Sequence, residues 1–90
     1  MEYCSVQATQ ENYEASKIIV ERCMKAANFQ LTEKELELLT KDIMDTSMMM
    51  GGDFAQSSIE AICENYIESN FYDRFVRLHY NELYGPIFHF

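Results

Sequence analysis

"LTEKEL", residues 31–36, decides how the rest of the chain is read. Thr32 precedes Glu35 by three positions, the spacing at which a threonine hydroxyl accepts from the N3 amide while the N3 carboxylate accepts from the N-cap amide. Leu31 and Leu36 stand at the positions of a hydrophobic staple, so a helix is expected from Glu33. Its apolar positions Leu36, Leu39, Ile43 and Met50 fall near one face, and Leu38, Met44 and Met48 widen that face. Glu33, Lys34, Glu37, Lys41 and Asp45 supply the solvated side, with Glu37 and Lys41 a favourable i,i+4 pair.

Towards the C-terminus this helix runs into "TSMMMGGDF", residues 46–54. Glycine takes the left-handed conformation without a Cβ penalty, so Gly51-Gly52 is expected to close the helix, and Asp53 with Gln56 to cap a third one. A phosphate loop would need a preceding strand, more glycines and a lysine before the helix, and none is present. The third helix is expected over 54–69, with a core stripe of Ala55, Ile59, Ile62, Tyr66 and Asn70 and with Ser58, Cys63 and Ile67 beside it. A break at Ser69-Asn70, with Asn70 capping a fourth helix, leads into "FYDRFVRLHYNELY", where Phe71, Phe75 and Leu78 form one stripe and Tyr72, Val76, His79 and Leu83 adjoin it. Gly85-Pro86 stops that run.

Towards the N-terminus, Thr9 is a candidate N-cap for a first helix ending near Asn28. Acids lie in its first turns and Arg22 and Lys25 near its end, the order that the helix dipole favours. Tyr13, Ser16, Val20, Cys23 or Met24, and Ala27 make its apolar stripe. Residues 1–8 read as an arm and 86–90 as an apolar tail. No alternating strand, repeat or low-complexity linker appears, and 90 residues suit one core. The expectation is a single all-α domain: a compact bundle of three or four helices with short turns.

Charge and composition restrict function. Fifteen acids against seven bases give a net charge of −8, which repels a phosphate backbone, so direct nucleic-acid binding is disfavoured. No apolar run approaches the roughly 18 residues of a membrane span. Cys4, Cys23 and Cys63 are widely spaced, without a CxxC pair or a signal-peptide pattern, which points to reduced thiols in the cytoplasm. Two histidines, His79 and His89, with no cysteine close in sequence make no zinc motif, and neither metal nor cofactor is expected. Cys63 lies on the core stripe, where an inert thiol is the default, and His79 reads as a packed side chain rather than a base. No catalytic residue is assigned and the protein is expected not to be an enzyme.

Three features point to protein binding. Glu60, Glu64 and Glu68 recur at i, i+4, i+8 with no base between Gly51 and Asp73, a row of carboxylates that either solvates the helix or imitates a phosphate line to a basic site. Tyr72, Arg74, Phe75, Arg77, Tyr80, Tyr84, Phe88 and Phe90 lie in the C-terminal third, where one core face cannot bury every aromatic group, and aromatics and arginine dominate interface hot spots. Met48, Met49 and Met50 span about 200° of helix, so at least one points outward as an adaptable contact. The expected function is a small acidic regulator that binds and inhibits a DNA- or RNA-binding protein, in the manner of the anti-repressors and anti-defence inhibitors that phages encode, with homo-oligomerisation through the aromatic third. The alternative is a structural or adaptor subunit of a permanent complex.

Overall fold

The computed structural model describes residues 9–85, and its elements are all helical. In chain order they are α1 (Gln10–Ala26), α2 (Glu33–Met49), α3 (Gln56–Glu68), α4 (Tyr72–Leu78) and α5 (Tyr80–Tyr84). The all-α architecture is as expected, with the final aromatic run divided at His79 into two short helices. The arm 1–8 and the tail 86–90, including Phe88 and Phe90, lie outside the described residues.

Local sequence explains where the long helices begin. The Thr9 hydroxyl accepts from the Asn12 amide at 3.1 Å and caps α1. At α2 both halves of the capping box form: the Thr32 hydroxyl accepts from the Glu35 amide at 3.1 Å, and the Glu35 carboxylate accepts from the Thr32 amide at 2.9 Å. Leu31 packs against the core beside the buried Leu36, as the staple requires.

The ends of α1, α2 and α3 share one device, in which a residue of positive φ lets two successive amides turn back onto the last carbonyls. At α2 it is Gly51, φ 75°, with Gly52 N–H donating to the Ser47 carbonyl at 2.8 Å and Gly51 N–H to Met48 at 3.0 Å. Asn28, φ 69°, and Asn70, φ 58°, do the same for α1 and α3, and the amides that follow belong to Phe29 and Phe71. Asparagine is the non-glycine residue that best tolerates this region. The break at Asn70 therefore exists, but Asn70 closes α3 rather than capping α4, whose N-cap position is Phe71 with no side-chain cap.

The start of α3 also differs from expectation. Ala55 occupies its N-cap, and the helix begins at Gln56, two residues later than the sequence suggests. Asp53 folds its carboxylate onto the Ala55 amide at 3.1 Å and the Ser58 hydroxyl at 2.9 Å, making a turn that leads into the helix from outside it. The Ser47 hydroxyl donates to the Asp53 carbonyl at 2.6 Å and ties this turn to the end of α2.

Helices α1, α2 and α3 pack on one another around Ile19, Val20, Met24, Leu36, Leu38, Leu39, Ile43, Ile59, Ile62 and Cys63, and Phe71 and Phe75 close the same core. Ile19 joins the α1 stripe and Ile18 is left outside it. Met48 and Met50, expected on the apolar face of α2, are exposed, although Met44 and Ser47 just before them are buried. Ala55 and Asn70, expected at the two ends of the α3 stripe, lie outside the helix itself and are exposed. Leu78, expected beside Phe71 and Phe75, is 74% exposed.

Candidate interaction surfaces and the α2–α4 seam

Carboxylates are used in two opposite ways in this molecule. On α2, Glu35 and Asp42 are seven residues apart and face α4. The Tyr72 hydroxyl donates to Glu35 at 2.6 Å, and His79 Nε2 meets Asp42 at 2.7 Å. Tyr72 and His79 are also seven apart, so the two polar rungs keep one register along helices running in the same direction, about 10 Å apart by helical rise. Between them Phe75 is buried against the core, with Leu38 and Leu39 belonging to the same cluster. Glu35 serves two elements at once, since one oxygen caps α2 and the other receives Tyr72. That hydrogen bond, followed by burial, pushes the Tyr72 phenol up to about 12.

His79 joins three elements. Its Nδ1 lies 2.8 Å from Glu82 of α5 while Nε2 faces Asp42 of α2, and its ring meets that of Phe75 at a tilt, 5.0 Å between centroids. Burial alone favours the neutral ring. The hydrogen bonds to Asp42 and Glu82 and their charges outweigh it, and raise the imidazole above its ordinary value of 6.5.

Aromatic contacts also hold the C-terminal segment. Phe71 contacts Phe29 at 5.3 Å, Tyr66 at 5.7 Å and Phe75 at 6.0 Å between ring centroids. Of the residues expected at a partner surface, Phe75 is thus part of the chain's own core and Tyr72 is half-buried against Glu35. Tyr80, Tyr84, Arg74 and Arg77 are exposed, the two tyrosine rings in tilted contact at 5.0 Å, and Leu78 joins them as an apolar group facing outward. Met49, at 86% exposed, and Met50 and Met48 form a separate apolar edge at the end of α2.

The second use of carboxylates is on α3. Glu64 and Glu68 are exposed and Glu60 is half-buried, its carboxylate receiving only the Gln56 amide at 2.9 Å. Among the described residues none of the three belongs to an ion pair. On the other two long helices the pattern differs: Lys17 pairs with Glu33, and Lys25 with Glu21.

The residues considered for chemistry are arranged otherwise than a reactive site would need. Cys63 on α3 and Cys23 on α1 act on each other: burial first, and then Cys23, pushes the Cys63 thiol up to about 12, and burial raises Cys23 as well. Both thiols are held protonated, the opposite of an activated nucleophile. A cleft of about 430 Å³ beside the seam is lined by Asp42, Thr46, Tyr66, Ser69, Arg74 and neighbouring apolar groups. Its polar groups are paired with one another: Thr46 with the Tyr66 hydroxyl at 3.0 Å, Arg74 with Ser69 at 3.4 Å, and Asp42 with His79. Among the described residues there is no cluster of His, Cys, Asp and Glu fit to hold a metal ion, and no helix long and apolar enough to cross a membrane. Comparison with protein-family models, curated proteins and solved structures gives no match.

The α2–α4 seam is what reading the sequence missed. Each rung joins positions 37 apart, and nothing local marks Glu35 for a tyrosine or Asp42 for a histidine. The one available signal was the repeated interval of seven in both helices, which becomes informative only once the two helices are known to be neighbours.

Proposed function

We propose that this chain is a small acidic regulator that acts without catalysis, by binding a DNA- or RNA-binding protein at its basic site through Glu60, Glu64 and Glu68. The observation that carries this reading is a contrast in charge compensation: Glu21 of α1 and Glu33 of α2 each pair with a lysine, whereas among the described residues Glu60, Glu64 and Glu68 form no ion pair, and Glu64 and Glu68 are exposed. Successive carboxylates on such a row rise about 6 Å along the helix, a linear array of negative charge suited to a surface that reads phosphates. Electrostatic complementarity of this kind speeds association and selects partners more than it adds raw affinity, so the interaction should weaken steeply with salt. An inhibitor of the anti-repressor or anti-defence kind fits this description, in a cytoplasmic setting.

The exposed Leu78, Tyr80 and Tyr84 favour a second reading, an adaptor or self-associating subunit that uses α4 and α5 for a permanent contact. The two readings separate in one experiment. Proteins of the native host are captured on the immobilised chain in the presence and absence of excess duplex DNA or RNA. The inhibitor reading expects the retained protein to bind nucleic acid and to be displaced by it. Retention that is indifferent to nucleic acid and lost in Tyr80→Ser/Tyr84→Ser assigns the adaptor role instead.

A further inference from the structure

The junction between α4 and α5 is built around one titratable ring. Glu82 of α5 and Asp42 of α2 face its two nitrogens at 2.8 and 2.7 Å, and both are carboxylates, which only accept. A neutral imidazole has one N–H, so in that state one carboxylate would confront a nitrogen lone pair across the same short distance. Only the imidazolium satisfies both at once. On the ring's remaining side stands the Phe75 ring, which offers no donor. These two carboxylates are the charged groups facing His79 from the elements packed on it, and its side chain is 13% exposed, which restricts replacement by water.

The helix held by this junction has little else to hold it. α5 has five residues, none of them buried, and no side-chain cap at its start. A helix that short does not persist without tertiary contacts. Leu83 is its one residue packed partly against the core, while the rings of Tyr80 and Tyr84 meet each other at a tilt outside it.

We propose that His79 is a proton-operated latch: the imidazolium clamps α5 to α2 through Glu82 and Asp42, and loss of its proton releases α5 together with Tyr80 and Tyr84 from the bundle. The direction in pH follows from the raised folded-state value. The clamp is complete below the unfolded pKa of about 6.5 and is lost as pH climbs through the folded one. Without the proton, Asp42 and Glu82 also repel each other across the ring. The body formed by α1, α2 and α3 does not depend on this proton, so release is local.

The test is amide hydrogen exchange and ¹⁵N relaxation on the intact chain at about pH 6 and about pH 9, with the His79 ring titrated by NMR over the same range. The expected result is that protection of the α5 amides, corrected for intrinsic exchange, falls about tenfold for each unit by which the His79 pKa is raised, while α2 keeps its protection. His79→Gln, which carries one donor group, should show an open α5 at both pH values, and His89→Gln should respond like the native chain. An α5 equally ordered at both pH values overturns the latch, as does a transition displaced from the His79 titration. If His79→Gln fails to fold, the native-chain titration alone decides between these outcomes.

Discussion

The α2–α4 seam and the outer face of α3 both display carboxylates at helical spacing, yet they do opposite things. Glu35 and Asp42 are turned inward and each receives a hydrogen bond from a residue of the C-terminal segment. Glu64 and Glu68 are turned outward and Glu60 is half-buried beside them, and none of the three forms an ion pair among the described residues. Acid content alone therefore says nothing about role. A carboxylate that completes the bonding of a buried partner is structural, and its loss should cost stability. One that only repels its neighbours costs stability by being present, which calls for a reason outside the fold.

The largest expected effect breaks the seam at its apolar centre. Phe75→Ala should destabilise the chain by about 3–5 kcal/mol in denaturant unfolding, since it empties the space between the two polar rungs. Arg77→Ala, on the exposed side of the same helix, should stay within about 0.5 kcal/mol. Next comes a polar rung: Asp42→Ala leaves His79 Nε2 without its partner and should cost about 1–3 kcal/mol near pH 6. That penalty should shrink as pH rises through the folded pKa of His79, because the charge that Asp42 stabilises disappears there.

The turn that presents α3 comes third. A Cβ at Gly51 would meet nothing within 4 Å, but φ 75° is strained for an ordinary side chain, so Gly51→Ala should cost roughly 1–2 kcal/mol and Gly51→Asn clearly less. Thermal unfolding of the two variants side by side distinguishes backbone strain from lost packing. The smallest effect has the opposite sign. Replacing Glu60, Glu64 and Glu68 by Gln should stabilise the chain by a few tenths of a kcal/mol through relief of like-charge repulsion.

What could be read from the sequence follows the range of the interactions involved. The box at Thr32 and Glu35, the cap at Thr9 and the closing glycine at Gly51 depend on neighbours within five residues, and the structure shows all three. Asp53 misled because an aspartate three residues before a glutamine also suits a turn that precedes a helix, and its own bonds to Ala55 and Ser58 satisfy that turn. Asn70 marked a real boundary for a different reason, its tolerance of positive φ. Met48, Met50 and Leu78 matched the apolar period and are exposed all the same, because period alone does not tell which positions a neighbouring element covers. The two rungs of the seam depend on partners 37 residues away and had no local signature. The acid row of α3 was fully visible as a pattern, and the packing of Ile59, Ile62 and Cys63 turns Glu64 and Glu68 to the outside while leaving Glu60 at the edge of the buried face.

The most direct measurement is a paired one on the Glu60→Gln/Glu64→Gln/Glu68→Gln chain: its unfolding free energy and its affinity for the nucleic-acid-binding protein captured by the native chain. Stability equal to or slightly above native, with affinity reduced by about tenfold or more, is the predicted result, three lost charge contacts being worth at least about 1.4 kcal/mol together. Native affinity in the triple variant would contradict the assignment of α3 as the partner surface.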